Sequence, residues 1–241
     1  MIYTVSQEEL DNHKVVSQQE WLEASATQVA LEKEWARRRD ELGRLRRELP
    51  WVKVDKNYAF DGPSGRQTLA DLFDGRSQLI TYHFMSDPDW NEPCPGCSII
   101  ADHMDGANLH LRHHDVTLVV VSRAPYDAFA PYKKRMGWQF PWVSSNGSDF
   151  NYDFGVSFKR ADLDSGEVLY NFKMQKLRSE EQPGVSAFYK NPAGEIFHTY
   201  SSYDRGLDIL IGANSYLDLT AKGRNEASTM DWVRRHDEYT K

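Results

Sequence analysis

The stretch "SQLITYHFMSDPDWNEPCPGCSII", residues 77–100, joins an apolar run to the only two cysteines of a 241-residue chain. The run "SQLITYHFM" is typical of a buried strand, and the residues after the second cysteine predict a helix. Cys94 and Cys97 fall in the first turn of that helix. Residues three apart share a helix face, so the two sulfurs lie close enough for disulfide geometry.

The position of this pair favours redox chemistry. Unpaired N–H groups and the helix dipole lower the pKa of a thiol at a helix N-terminus. We therefore expect Cys94 to be the attacking thiolate and Cys97 the resolving thiol. Thiols are kept reduced in the cytoplasm, where a close pair is more often catalytic or metal-binding than a structural bridge.

Two other interpretations of the cysteines stay open at this point. Cys94, Cys97, His110 and His114 have the spacing C-x2-C-x12-H-x3-H of a zinc site. A continuous helix rises 1.5 Å per residue and would place His110 roughly 20 Å from Cys97, so a zinc site needs a break near Gly106. Alternatively the thiols are two small side chains that merely pack.

Composition excludes several functions. The formal net charge of −7 argues against a general nucleic-acid binder. The start, "MIYTVSQEELDNHKVV", lacks the basic and apolar regions of a signal peptide, and no apolar run reaches the length of a membrane span. We expect a cytoplasmic protein with neither nucleic-acid nor membrane partners.

The sequence pattern divides the chain into three parts: a helical extension (1–50), a larger domain (51–220) and a polar tail (221–241). The extension predicts a long helix from about Ser17 to Leu49, opened by a capping box of Ser17 and Glu20. Apolar residues recur along it at multiples of seven, at Trp21, Trp35, Leu42 and Leu49. This apolar seam packs either on the body of the protein or on a second copy.

The larger domain alternates strand and helix patterns. The run "VTLVVVS" is β-branched throughout, as buried parallel strands are. We expect one helix over 98–114, a hairpin around the turn "NPAG", and a closing helix over 206–219. Residues between "FPWVSS" and the hairpin form an insertion.

This order of elements, with C-P-G-C after a strand and "QPGVSAFYKNPAGEIFHTY" later, resembles the thioredoxin-like fold. The unit "VVVSRAPYDAFAPYKKRMGWQFPWVSSNGSDFNYDFGV" is similar to peroxiredoxins. Together "EWARRRDEL", "LADLFDGRSQLITYHFM", "CPGCS", "FPWVSSNGSDFN" and "HTYSSYDRGLD" resemble one bacterial thioredoxin-like family of unknown function, labelled a predicted dithiol–disulfide oxidoreductase. The resemblance implies an α/β fold with a central mixed sheet flanked by helices, a long N-terminal helix, and an insertion before a cis-proline hairpin.

The resemblance also implies residues on the substrate side of the site. Gln182–Pro183 would be a cis peptide that faces the cysteines and receives the substrate backbone. Trp90 stands four residues before the first cysteine, whereas thioredoxins carry a tryptophan immediately before it. The dipeptide Pro95–Gly96 between the cysteines reverses the Gly-Pro of thioredoxins, so the redox potential of thioredoxins is not carried over to this chain.

Two further residues, His83 and Arg123, have implied auxiliary roles. Thioredoxins bury an aspartate in the strand before the cysteines, and His83 is the candidate proton shuttle here, with Tyr82 the other titratable residue. Arg123, at a strand end, would favour the thiolate as in peroxiredoxins. The peroxiredoxin pattern is incomplete, because Pro88 lies six residues before Cys94 and Asn91 replaces the hydroxyl residue.

We therefore expect an enzyme that exchanges thiols and disulfides. It would use the Cys94–Cys97 redox-active disulfide and no separate cofactor or metal. Its partners would be a protein or small-molecule thiol or disulfide, a reductant such as thioredoxin or glutathione, and possibly a second copy of the chain. The alternatives are a peroxiredoxin-like thiol peroxidase and a non-catalytic binding or dimeric protein on the same fold.

Overall fold

A computed structural model describes residues 4–239. The chain divides into two compact units: the residues up to Pro50 together with Tyr216–Thr229, and Trp51–Ser215 together with the residues from Met230 onward. The helices are α1 (Gln7–Asp11), α2 (Gln18–Arg47), α3 (Pro95–Ala101), α4 (Met104–His113), α5 (Tyr126–Arg135), α6 (Phe150–Asp153), α7 (Arg160–Ser165) and α8 (Gly212–Leu217). The strands are β1 (Val52–Lys53), β2 (Ala59–Gly62), β3 (Gly65–Thr68), β4 (Gln78–His83), β5 (Val116–Ser122), β6 (Trp142–Ser144), β7 (Val168–Tyr170), β8 (Lys173–Gln175), β9 (Gly184–Lys190) and β10 (Ile196–Tyr203).

The long helix α2 dominates the first unit and begins as predicted. Ser17 Oγ accepts from the Glu20 N–H at 3.3 Å, and the Glu20 carboxylate accepts from the Ser17 N–H at 3.0 Å. These bonds satisfy N–H groups that the first helical turn leaves unpaired. No residue of α2 is buried, and Trp21 and Trp35 of the apolar seam are 55% and 62% exposed.

The second unit is built on an eight-stranded mixed sheet in the order β1-β10-β9-β4-β5-β6-β2-β3. Strands β4, β5 and β6 run parallel, β9 lies antiparallel to β4, and β10 lies antiparallel to β9. Parallel neighbours need a crossover connection, which α3 and α4 supply between β4 and β5. The order β10-β9-β4-β5, with the cysteines after β4, confirms the predicted thioredoxin-like fold.

Both faces of the sheet are covered, which explains the nearly continuous apolar runs of β4 and β5. Side chains alternate along β4, so Tyr82 and Phe84 enter a core cluster that also contains Cys97. Leu79 enters a separate core cluster, with Phe150. None of the described helices has the length and apolar character needed to cross a membrane.

The single helix expected over 98–114 is wrong, because it is interrupted between α3 and α4. The His103 ring Nδ1 donates to the Ile99 carbonyl at 2.6 Å, and the His103 backbone N–H turns instead to Ile100 at 3.1 Å. An uninterrupted α-helix would have paired that backbone N–H with Ile99. A side chain therefore replaces one bond of the helix and breaks it.

The closing helix expected over 206–219 is also interrupted. Residues Asp204–Leu210 form 3-10 turns, and α8 begins only at Gly212. Ile211 lies between them with φ −101° and ψ 87°, outside the helical range, and its side chain is buried. The helical conformation is therefore lost at a residue whose side chain belongs to the core.

The expected cis bond at Gln182–Pro183 is wrong, since no peptide bond within residues 4–239 is cis. The Gln182 N–H donates to the Val156 carbonyl at 2.8 Å, and the Pro183 carbonyl accepts from the Tyr170 hydroxyl at 2.9 Å. Both partners come from the insertion that precedes the hairpin. The insertion therefore anchors the residues on both sides of this trans peptide bond.

Candidate active site around Cys94 and Cys97

Local structure places the dithiol at the start of α3. Cys94 is the N-cap residue and Pro95 is the first helical residue, where its fixed φ suits a helix start and its missing N–H costs no bond. The Cys94 N–H donates to the Met85 carbonyl at 3.1 Å, which ties the turn to the end of β4. The sequence prediction of cysteines at a helix N-terminus is therefore confirmed.

The two sulfurs have opposite environments. Cys94 is partly exposed, whereas Cys97 is 2% exposed, and both are free thiols. A hydrogen bond from the Cys97 thiol, helped by the N–H groups of Cys97 and Gly96, lowers the pKa of Cys94 to about 7 against the opposing effect of burial. Burial, with the neighbouring Cys94 sulfur, raises the pKa of Cys97 well above that of an ordinary thiol. Cys94 is thus the more acidic and more accessible sulfur.

Cys97 lies among hydrogen-bond donors. The Met85 N–H donates to its sulfur at 3.4 Å. The Tyr82 hydroxyl is buried and has no oxygen or nitrogen partner within the described residues. It lies close enough to the Cys97 sulfur to lower the pKa of that thiol. Burial raises the pKa of Tyr82, so its hydroxyl stays protonated and acts as a donor.

A second buried pair supports the backbone of the attacking cysteine. The Ser98 hydroxyl donates to the Cys94 carbonyl at 2.9 Å, and it shares a 2.8 Å hydrogen bond with the Tyr132 hydroxyl of α5. Sequence reasoning missed both residues. The spacing of Ser98, four residues after Cys94, was the available signal, since a serine there can bond back to the preceding turn.

Three more of the predicted site residues are Gly96, Trp90 and Pro183. A Cβ at Gly96 would lie 3.6 Å from Cys94 Sγ, so glycine keeps the surroundings of that sulfur open. Trp90 is 37% exposed in the loop before the cysteines, where its N–H donates to the Asp87 carbonyl. Pro183 is half-buried immediately before β9, the strand that pairs with β4.

His83 is not brought to the cysteines, which corrects its expected role as proton shuttle. Its ring Nε2 is 2.9 Å from Ser186 Oγ, and the ring packs beside Phe150 on the face of β4 opposite to Tyr82. Burial lowers the pKa of His83 to about 3, so the ring is neutral. Strand alternation gives Tyr82, rather than His83, to Cys97.

Arg123 pairs with carboxylates and not with the Cys94 thiolate. Its Nε donates to Glu181 at 2.6 Å, and its Nη2 pairs with Asp87. Glu181 and Asp87 are both buried. Their carboxylates accept the hydrogen bonds of the guanidinium N–H groups. Arg123 therefore closes a buried ion cluster instead of facing Cys94, which corrects the peroxiredoxin-like expectation.

The histidines of the zinc alternative lie along α4 and at its end. His110 belongs to α4 and His114 follows it, beyond the break that separates α4 from the cysteine-bearing helix. Within residues 4–239, no group of three or more histidine, cysteine or acidic side chains converges in a way that could hold a metal ion.

Comparison with protein families gives a match over nearly the whole chain. A family model described as "Bacterial protein of unknown function (DUF899)" matches residues 10–239. The chain belongs to this family. No curated protein matches it. The resemblance that the sequence motifs indicated is therefore confirmed at the level of the family.

Several solved structures are similar to this DUF899 protein at low identity. Peroxidoxin BcpB from Mycobacterium tuberculosis is 13% identical with a TM-score of 0.45, covering 67% of this chain and 93% of that one. Peroxiredoxin Q from Xanthomonas campestris is 14% identical with a TM-score of 0.42, covering 68% and 99%. A putative thiol:disulfide interchange protein DsbE from Chlorobium tepidum is 14% identical with a TM-score of 0.40, covering 68% and 97%.

Proposed function

We propose that this protein is a thiol–disulfide oxidoreductase whose working group is the Cys94–Cys97 dithiol. The observation that supports it best is the contrast between two adjacent sulfurs. Cys94 is partly exposed at a helix start with a pKa near neutrality, and Cys97 is buried behind it as a protonated thiol. One sulfur is prepared to attack and the other to resolve.

The first step is attack by the Cys94 thiolate on one sulfur of a substrate disulfide. A bond forms between Cys94 Sγ and that sulfur, and the substrate S–S bond breaks. The second substrate sulfur leaves as a thiolate and takes a proton from solvent. The N–H groups of Gly96 and Cys97, which stabilise the Cys94 thiolate, hold the attacking form before substrate arrives.

The second step resolves the mixed disulfide. Cys97 attacks Cys94 Sγ, which forms the internal disulfide and breaks the bond from Cys94 to the substrate sulfur. The Cys97 proton passes to the departing sulfur, which leaves as a thiol. The Met85 N–H and the Tyr82 hydroxyl stabilise the negative charge that develops on Cys97. The substrate gains the two electrons that the dithiol loses, so no separate cofactor takes part.

The cycle needs a partner to restore the dithiol. A dithiol protein such as thioredoxin, or glutathione, would reduce the internal disulfide by the same exchange in reverse. We place the reaction in the cytoplasm, where such reductants keep thiols available. The substrate is a protein or small-molecule disulfide that can approach a partly exposed sulfur.

A single-turnover assay tests this proposal. The reduced protein is mixed with an equimolar cystine-containing peptide, or with hydrogen peroxide, and its remaining thiols are followed over time. We expect the peptide disulfide to open as both protein thiols disappear, because Cys94 is already close to half ionised at pH 7. The control is the same protein blocked beforehand with iodoacetamide.

The outcomes separate the candidate activities. Rapid oxidation of the protein thiols by peroxide, with no opening of the peptide disulfide, would favour a peroxidase over an exchange reaction. In that reaction Cys94 becomes a sulfenic acid and condenses with Cys97. Failure with both oxidants would leave a non-catalytic binding protein.

A further inference from the structure

The end of the described chain packs onto the dithiol site. Met230 and Trp232 pack against the core cluster that contains Cys97, and Val233 is a buried member of it. The Met230 methyl lies near Gly96, at 3.7 Å from the place a Cβ would take. Met230 also has a left-handed φ of 61°, which costs a non-glycine residue roughly 1 kcal/mol or more and persists only where contacts hold it.

Ion pairs and hydrogen bonds fix this segment, Met230–Glu238, at several points. Arg135 of α5 donates to Asp237 at 2.6 Å and to Glu92, in the loop before the cysteines, at 2.7 Å. His236 Nδ1 lies 2.6 Å from Asp102 at the end of α3. The segment is therefore tied to the loop, the helix and the neighbouring helix that together frame the dithiol.

Arg235 makes the most direct link. Its side chain is 13% exposed, and its Nη2 donates to the Pro93 carbonyl at 2.9 Å. That carbonyl belongs to the peptide that enters Cys94. The same Nη2 pairs with Glu92 at 3.0 Å, and Nη1 pairs with Glu238 at 3.0 Å. Arg235 thus holds the turn in front of the attacking sulfur.

A second path joins Arg235 to the other side of the same residue. The guanidinium lies over the Tyr132 ring, 5.8 Å from its centre. The Tyr132 hydroxyl bonds Ser98, whose hydroxyl donates to the Cys94 carbonyl. One side chain therefore braces the peptides before and after Cys94.

The charges around the site determine whether Arg235 raises or lowers the pKa of Cys94. The positive charge of Arg235 adds to the larger effect of Cys97 in lowering the pKa of the Cys94 thiol. Glu92 and Glu238 partly offset it. Arg135 pairs with Asp237 and with Glu92, and the Asp102 carboxylate lies within hydrogen-bond distance of the His236 ring.

We propose that Arg235 is a positioning residue of the dithiol, which braces the Cys94 turn and places a positive charge beside the attacking sulfur. The C-terminal segment is then a working part of the site rather than a tail. The inference rests on the proposed function, because it concerns the reactivity of the same sulfur.

The test is the pH dependence of Cys94 alkylation by iodoacetamide in the reduced protein, with the modified cysteine located by mass spectrometry. We expect a midpoint near pH 7 for the natural protein. In Arg235→Gln the midpoint should rise by roughly one unit, which lowers the rate at pH 7 by about fivefold. The matched control is Arg234→Gln, because Arg234 is exposed and its guanidinium donates to the Asp231 and Val233 carbonyls of its own segment.

Arg235→Lys distinguishes charge from folding. It keeps the positive charge and should hold the midpoint within a few tenths of the natural value, at the same thermal stability. An unchanged midpoint in a folded Arg235→Gln, or equal shifts in the variants at 234 and 235, would overturn the proposal. Alkylation needs no disulfide substrate, so a protein inactive in exchange with an Arg235-dependent midpoint would reject the proposed function and keep this inference.

Discussion

Replacing Cys97 by serine is expected to convert the protein into a trap that retains its substrate through a mixed disulfide. Cys94 keeps its place at the helix start and its exposure, so it still attacks. No second sulfur remains to release the adduct, because the chain has only two cysteines. Replacing Cys94 by serine should instead lower exchange by roughly a thousandfold or more, since the nucleophile itself is lost.

Intact-mass measurement after incubation with a cystine-containing peptide checks both variants. With a peptide made of two chains joined by one disulfide, Cys97→Ser should gain the mass of one of those chains. The gain should disappear on reduction. Cys94→Ser is the matched control and should gain nothing, because Cys97 is buried and protonated. An adduct on Cys94→Ser and none on Cys97→Ser would reverse the two roles.

The second large effect is expected on stability, from the buried ion cluster around Arg123. Its guanidinium pairs with Glu181, which is 1% exposed, and with Asp87, which is 5% exposed. Replacing Arg123 by methionine leaves two buried carboxylates without their cation. Breaking a buried pair in this way costs about 3–5 kcal/mol of unfolding free energy.

The loss should grow with pH. Burial raises the pKa of Glu181 to about 7 although Arg123 opposes the rise, so in the folded protein this carboxyl holds its proton at pH values where the unfolded chain has lost it. The contribution of Glu181 to stability therefore falls as the pH increases from the pKa of this carboxyl in the unfolded chain towards its folded pKa of about 7. Without Arg123 the folded pKa rises further, and Arg123→Met should be more destabilising at pH 8 than at pH 6.

Urea unfolding of matched variants measures this effect. Arg160→Met is the control, because Arg160 pairs with Glu180 at 2.9 Å while 56% exposed, and an exposed pair contributes at most about 1 kcal/mol. Adding Glu181→Gln to Arg123→Met should recover part of the loss. Equal, pH-independent losses in the variants at 123 and 160 would contradict the assignment of a buried cluster.

Local patterns predicted the features that neighbouring residues determine. The capping box of Ser17 and Glu20 and the position of Cys94 and Cys97 at the start of a helix depend on residues within one turn, and both are confirmed. The mixed sheet flanked by helices was implied by the resemblance to thioredoxin-like proteins, and the strand order itself comes from the structure. The expected tail at 221–241 was a compositional inference, and in the structure its residues are shared between the two compact units.

Tertiary contacts determine what the sequence could not predict. Which face of β4 meets Cys97 depends on how α3 crosses the sheet, so Tyr82 and His83 could not be told apart from their pattern alone. The break before α4 depends on the His103 ring, whose Nε2 accepts from the distant Ala213 N–H. Arg235 lies far along the chain from Cys94, and no spacing rule connects them.

The most direct test of the central claim is a redox titration of the dithiol. The protein is equilibrated in glutathione buffers of increasing oxidised fraction, alkylated, and weighed by intact-mass spectrometry. We predict that both thiols disappear together in one two-electron transition, because Cys94 and Cys97 form an internal disulfide. Thiols that stay reduced in every buffer, or a single stable glutathione adduct with no internal disulfide, would contradict it.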